Sequence, residues 1–199
     1  MNIVMFGPPA AGKGTQAKML VAKHSLLQFS TGDMLREARV SGTELGRKVS
    51  GIMDRGELVS DEIVISLIDE QISLNQDSHG FIFDGFPRTI AQAEALDALM
   101  RLYDSKIDLV LSLKVDDSSL INRITKRFTE EGRADDNPES FKVRLNAYNT
   151  QTASLLPYYS SQGKLYEVDG MLSINEVSML ITEALNNKSK GLIKGIYNN

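Results

Sequence analysis

Residues 3–24 read IVMFGPPAAGKGTQAKMLVAKH, an apolar run, a glycine-rich turn and an amphipathic repeat in immediate succession. The run from Asn2 to Phe6 has the length and the Ile/Val/Phe content of a strand buried on both faces of a parallel sheet. Past the turn, Ala17, Leu20 and Val21 fall on one face of a helix over Gly14 to His24. Between them, Gly7-Pro8-Pro9-Ala10-Ala11-Gly12-Lys13-Gly14-Thr15 has the GxxxxGK spacing, in the strand–turn–helix setting that gives the motif its meaning. Glycine lets backbone N–H groups turn inward onto a polyphosphate, the helix N-terminus adds positive dipole, and Lys13 can reach the terminal phosphates. The hydroxyl comes one residue late: Gly14 stands where many such loops carry Ser or Thr, and Thr15 is next. A nucleoside triphosphate is the expected ligand.

Similar apolar runs recur at Leu27 to Phe29, Phe81 to Phe83, Leu109 to Val115 and Leu165 to Val168. Helical patterns separate them. Thr89 to Leu102 aligns Ile90, Ala93, Leu96 and Leu99, and Ser60 to Gln71 opens with a Ser cap and early acids before repeating Ile63, Val64, Leu67 and Ile68. Strands alternating with helices make βαβ units, so the predicted class is α/β with a five-stranded parallel sheet. Two segments interrupt the alternation. Residues 30–59 contain helical pieces broken by Gly32, Gly42, Gly46, Gly51 and Gly56, and Phe128 to Asn137 (FTEEGRADDN) is polar between two helical patterns. Both are expected to be mobile excursions from one core domain spanning residues 1–199. The stretch 188–199, where Lys188, Lys190 and Lys194 interleave with Leu192, Ile193 and Ile196, is expected to fray.

Composition narrows the function. The 199 residues include no cysteine, and 22 Lys+Arg against 26 Asp+Glu give −4. Zero cysteine excludes a disulfide framework, a thiolate nucleophile and any Cys-ligated zinc or iron–sulfur site, and suits a reducing compartment. The acidic balance argues against a nucleic-acid partner. Residues Met1 to Phe6 lack the basic start of a signal peptide, and no run approaches the ~20 apolar residues of a membrane span, so a cytoplasmic protein without a membrane partner is expected.

Further motifs stand where such a sheet binds ligands. Asp84-Gly85-Phe86-Pro87-Arg88-Thr89 succeeds the run Phe81 to Phe83, placing Asp84 and Arg88 at a strand's carboxyl end. Asp84 could hold Mg²⁺ through water, and Arg88 offers a planar fork for phosphate. Arg123 and Arg127 share a helical face, Arg133 lies in the polar excursion, and Arg144 lies on the helix that Asn137-Pro138 is expected to begin. So many arginines would ordinarily form a solvated face, but phosphoryl transfer needs cations around the equatorial oxygens and the leaving group. His24 and His79 read as surface residues.

With Ser30-Thr31-Gly32-Asp33-Met34-Leu35-Arg36, Met53-Asp54-Arg55-Gly56-Glu57-Leu58-Val59, Gln92, Arg133-Ala134-Asp135-Asp136 and Tyr158-Tyr159 coming after the GKGT loop in order, the chain resembles the nucleoside monophosphate kinases, specifically the adenylate kinase family in its short-lid form. The resemblance covers roughly residues 1–172. It implies a P-loop three-layer α/β/α fold with an NMP-binding insertion at 30–59 and a short lid at 127–137. The implied reaction is ATP + AMP ⇌ 2 ADP, serving adenine nucleotide homeostasis, with Mg²⁺ on the triphosphate and a monomeric enzyme. Lys13, Arg88, Arg127, Arg133 and Arg144 are the implied catalytic cations. ATP would lie on Ala10, Ala11, Gly12, Lys13, Gly14 and Thr15, with Arg123 and Arg127 and a backbone contact at Leu172. AMP would meet Thr31, Arg36, Glu57, Leu58, Val59, Gly85, Phe86, Pro87, Arg88 and Gln92, besides Arg133 and Arg144. Asp84, and Thr15 as a second candidate, would serve the metal, while Asp135 and Asp136 would orient arginines or help hinge the lid.

Alternatives are a uridylate or cytidylate kinase, disfavoured by Thr31 where those typically have Ala, and a nucleotide-dependent switch. In this family Ala10 replaces a common glycine, and its methyl fits the usual turn if φ stays below zero. A lid this short, without thiolates, implies no structural zinc.

Overall fold

The computed structural model describes residues 1–131 and 136–190. Along the chain run β1 (Ile3–Phe6), α1 (Lys13–His24), β2 (Leu27–Ser30), α2 (Thr31–Val40), α3 (Glu44–Asp54), α4 (Asp61–Leu74), β3 (Phe81–Asp84) and α5 (Ile90–Leu102). Then come β4 (Leu109–Lys114), α6 (Asp117–Glu131), α7 (Pro138–Ala147), a π-helical segment (Tyr148–Thr152), α8 (Leu155–Ser160), β5 (Leu165–Asp169) and α9 (Ile174–Ser189).

The strands form one parallel sheet in the order β2-β3-β1-β4-β5. Their pleat sorts side chains into two cores. Val4 and Phe6 of β1 join Phe81, Phe83 and Val110 on one face, against Ile68 and Ile72 of α4, Leu96 and Met100 of α5 and Tyr159 of α8. Ile3 and Met5 point the other way with Ile82, Leu111 and Val168, against Ala17 and Leu20 of α1, Leu120 and Ile124 of α6 and Ile181 of α9. Every residue of β1 and β3 is buried, which is why these runs are continuously apolar rather than alternating. This is the expected three-layer α/β arrangement.

Strand order fixes where a ligand can sit. The chain leaves β1 for β2 beyond β3, and leaves β3 for β4 across β1, so connections diverge at the carboxyl ends of β1 and its neighbours. The GxxxxGK turn leaves β1 and the DGFPRT turn leaves β3, at that crevice.

The insertion over 30–59 folds as α2 and α3, capped by the Ser30 and Thr43 hydroxyls and joined by an Arg39–Asp54 ion pair of 2.8 Å. Asn137 caps α7 with Pro138 in its first turn, as the sequence predicts. Two features differ from the sequence reading. Phe128–Glu131 continue α6: no breaker precedes Gly132, the Thr129 hydroxyl donates back to the Thr125 carbonyl at 3.0 Å, and Lys126 pairs with Glu130 at 3.8 Å. The π-helical turn, in which Ala153 N–H donates to the Tyr148 carbonyl at 2.8 Å, had no local sequence signal.

Candidate active site

The loop after β1 turns through Gly7 at φ 145°, Ala10 at φ 66° and Gly12 at φ 99°. Gly12 occupies the N-cap of α1 and offers no side chain, so no side-chain cap bond blocks that helix N-terminus from a phosphate. Ala10 overturns the expectation of a negative φ. A left-handed alanine costs about 1–2 kcal/mol, and here its methyl is buried in the apolar cluster that includes Ala11 and Ala17, which offsets roughly 0.8 kcal/mol of that.

Lys13 folds back, its Nζ donating to the carbonyls of Gly7 at 2.7 Å and Pro8 at 3.0 Å. Burial, aided by the positive charges of Arg88, Arg144 and Arg127 and opposed by Asp84, lowers its pKa to about 8. Asp84 ends β3 nearly buried and accepts from Gln28 Nε2 at 3.2 Å. A Cβ built on Gly14 would lie 3.6 Å from Asp84 Oδ2, so the loop's lysine turn and this carboxylate face one another. Burial raises the Asp84 pKa, against the lowering pull of Lys13 and Arg88. Thr15 is exposed on the first turn of α1.

The DGFPRT turn presents Arg88. Gly85 has φ 82°, and a Cβ there would come 2.7 Å from Thr31 Oγ1 and 3.2 Å from Arg88 Nη2, so only glycine leaves the guanidinium its place. Arg88 Nε donates to the Gly85 carbonyl at 2.7 Å, Arg88 N–H to Gln92 Oε1 at 2.7 Å, and the Arg88 carbonyl accepts from Thr152 Oγ1 at 3.0 Å. Burial and the nearby Arg144 lower its pKa to about 10, which keeps it charged at neutral pH. Phe86 and Pro87 are buried beneath the turn.

Gln92 has fixed partners at both ends of its amide, since Nε2 donates to Asp61 Oδ1 at 2.6 Å. Asp61 also accepts from Thr89 Oγ1 at 3.2 Å. Thr31, buried at the start of α2, lies 3.4 Å from the Asp84 carbonyl, while Ser30 provides the helix cap. Arg36 pairs with Asp33 at 2.6 Å, and Glu57 with Arg55 at 2.7 Å on the surface.

On the other side of the crevice, Arg123 spans two loops, donating to the carbonyls of Ala11 at 3.1 Å and Gly170 at 2.8 Å. Gln16 Nε2 on α1 reaches the Ile174 carbonyl at 2.9 Å, so the turn bearing exposed Leu172 is flanked by one tie to the GxxxxGK loop and one to α1. Asp136 is fully buried. Its Oδ1 accepts from Arg144 at 2.7 Å, and its Oδ2 lies 2.9 Å from Arg127 as an ion pair without hydrogen-bond alignment. Arg133, Asp135 and residues 191–199 lie outside the described residues. His79 is exposed, but His24 is half-buried with Nε2 enclosed, which corrects its reading as a surface residue.

Two cavities meet here. One is lined by Thr31, Arg36, Val59 and Gln92, the other by Gly7, Lys13, Pro87 and Tyr148, and both are walled by Leu58, Gly85, Arg88 and Arg144. Gln28, Asp61, Tyr148 and Thr152 also belong to this neighbourhood, and sequence reasoning missed them. Asp61 carried only the signal of an acid in a helix's first turn, and Thr152 carried none.

Comparison with known proteins agrees with the geometry. A family model described as adenylate kinase matches residues 5–164. An adenylate kinase of Phenylobacterium zucineum is 65% identical over 185 residues, 93% of this chain and 97% of that protein. One from Caulobacter sp. (strain K31) is 61% identical over 93% of this chain and 98% of its own length, and one from Paracoccus denitrificans is 49% identical over 93% and 97%. The chain belongs to the adenylate kinase family.

Proposed function

We propose that the chain moves the terminal phosphoryl group of ATP reversibly onto AMP, giving two ADP. The observation that carries this reading is the pair of adjoining cavities with Arg88 and Arg144 in their shared wall. ATP phosphates lie on the loop from Ala10 to Thr15, with Arg123 and Leu172 beside the base. AMP lies in the cavity of Thr31, Val59 and Gln92, its phosphate toward Arg36, Arg88 and Arg144. An oxygen of the AMP phosphate forms the new bond to the terminal phosphorus as the bond to the bridging oxygen breaks and the electron pair leaves on ADP. The nucleophile is already an anion, so the chain supplies no general base. Lys13, Arg88, Arg127, Arg133 and Arg144 balance charge on the transferred group and leaving oxygen, and position decides the rate.

Mg²⁺ fits the residues present. Asp84 is a nearly buried oxygen donor facing the loop, of the kind a hard, hydrated cation accepts, with Thr15 as a second oxygen. When bound, the ion neutralises charge on the triphosphate. Closure of 30–59 and the lid at 127–137 excludes water, without which ATP would be hydrolysed.

A coupled assay of ADP formation tests the reading: ADP appears only when AMP accompanies ATP, and AMP gives a higher kcat/KM than UMP or CMP. Arg88→Ala lowers kcat by about 10³-fold or more, the scale of a lost transition-state arginine. ADP release without AMP, or near-normal turnover of Arg88→Ala, would sink it.

A further inference from the structure

Several threonines within the described helices give their hydroxyl protons back to their own helix, whereas Thr31, at the start of α2, turns to the Asp84 carbonyl at 3.4 Å. Thr125 donates to Ile121, Thr150 to Asn146 and Thr182 to Ser178, each at the carbonyl four residues earlier. Thr152 does not. Its buried hydroxyl crosses to the Arg88 carbonyl at 3.0 Å, 64 residues away in sequence. It can do so because it ends the π-helical turn that succeeds α7. There the ladder bond from Ala153 to Tyr148 takes in one residue more than an α-turn, so the chain beyond the turn is carried round by roughly 100° relative to an unbroken α-helix.

The consequence falls on Arg88. Its backbone N–H is held by Gln92, its own Nε returns to Gly85, and Thr152 holds its carbonyl, so the peptide units before and after its Cα are both held. The same α7 and π-turn unit carries Arg144 and, through Tyr148 and Thr152, part of the wall of the second cavity. Arg88 and Arg144, which come from the turn after β3 and from α7, are therefore referenced to one stretch of helix.

We propose that Thr152 is a positioning residue for Arg88, and that the π-helical turn exists at this point to aim its hydroxyl. This rests on the catalytic role of Arg88 proposed above. The chemistry assigned to Thr152 is a single neutral hydrogen bond to the Arg88 carbonyl.

The test is a double-mutant cycle with a hydroxyl control. Thr152→Val keeps the branched shape and removes the donor. It should lower kcat roughly 10-fold to 100-fold, the scale of an ångström-level misplacement, with KM for ATP changed less than about twofold. Thr152→Ser, which keeps the hydroxyl, should recover most of that loss. In an Arg88→Ala background, Thr152→Val should change kcat by less than about twofold, because the group it positions is gone. A Thr152→Val enzyme with normal kcat overturns the proposal, as does the same fold loss with and without the Arg88 side chain, which marks a structural role. Full activity of Arg88→Ala by itself overturns instead the role of Arg88, so the two failures are distinguishable.

Discussion

At the scale of single residues, Lys13 shows how burial tunes an ammonium group. Its ammonium is buried and flanked by other cations, which brings it to about 8 despite the opposing Asp84. A lowered pKa means that the free chain loses this charge as pH rises past about 8, and that an incoming polyanion must draw a proton back. KM for ATP should therefore stay level below about pH 7.5 and climb above pH 8, while kcat, which reports the bound complex, stays level over the same range. Steady-state kinetics between about pH 6.5 and 9.5 check this, and a KM indifferent to pH up to 9.5 would contradict the burial argument. Ala10 makes the complementary point about backbone. A position that favours glycine tolerates a methyl because the methyl has apolar neighbours.

Among elements, α6 and α7 are joined by two ion pairs to one buried carboxylate. Asp136 has no exposed surface, and the side chains of Arg127 and Arg144 that it pairs with are only 24% and 18% exposed. One buried carboxylate thus holds a cation from each helix, and removing its charge leaves two guanidinium groups to repel each other. Breaking a fully buried pair costs about 3–5 kcal/mol. Because both arginines keep some contact with water, Asp136→Asn should cost about 2 kcal/mol, lowering Tm by roughly 4–8 °C for a chain of this size. It should also depress kcat more than it raises KM, since both arginines would lose their fixed positions. Thermal melts and initial rates decide the matter, and an unchanged Tm would mean the pairing contributes nothing.

For the whole molecule, the two ends of the sheet divide the work. The carboxyl ends carry the GxxxxGK loop, Asp84 and Arg88; the amino ends carry Asn2, which is buried and touches none of them. Its Oδ1 accepts from Phe81 N–H at 3.0 Å, and its Nδ2 donates to Ser105 Oγ at 2.7 Å and the Lys106 carbonyl at 2.9 Å. Asn2→Ala strands the Phe81 N–H in the core and should cost about 1–3 kcal/mol, with kcat unchanged at a temperature where the variant is folded. A fall in kcat alongside Tm would show that strain at one end reaches the other. Charge is divided in the same way: the chain totals −4, yet Lys13, Arg88, Arg127 and Arg144 lie close enough that each of these arginines shifts Lys13.

Much of the fold and site was legible in the primary sequence, for reasons particular to each segment. IVMFGPPAAGKGT announces itself because strand, turn and helix signals are local and consecutive, and the runs at Phe81 and Leu109 read as strands because both their faces are buried. The cap at Asn137-Pro138 is likewise a short-range signal. Bonds that cross the fold were not legible. Thr152 is one threonine among several until the tertiary structure sets it against Arg88, and Asp61 is an ordinary helix-start acid until α4 lies beside α5 and Gln92 reaches it. Sequence by itself determined the strand and helix alternation, the place of the glycine-rich GxxxxGK turn and the family's motifs, because backbone propensity and hydrophobic period act over a few residues. Only tertiary structure decided the left-handed Ala10, the π-helical turn, the pairing of Asp136 with two arginines and the support of Arg88, because the last joins residues 64 positions apart and the others depend on how turns and helices are set against one another, which short-range signals do not fix.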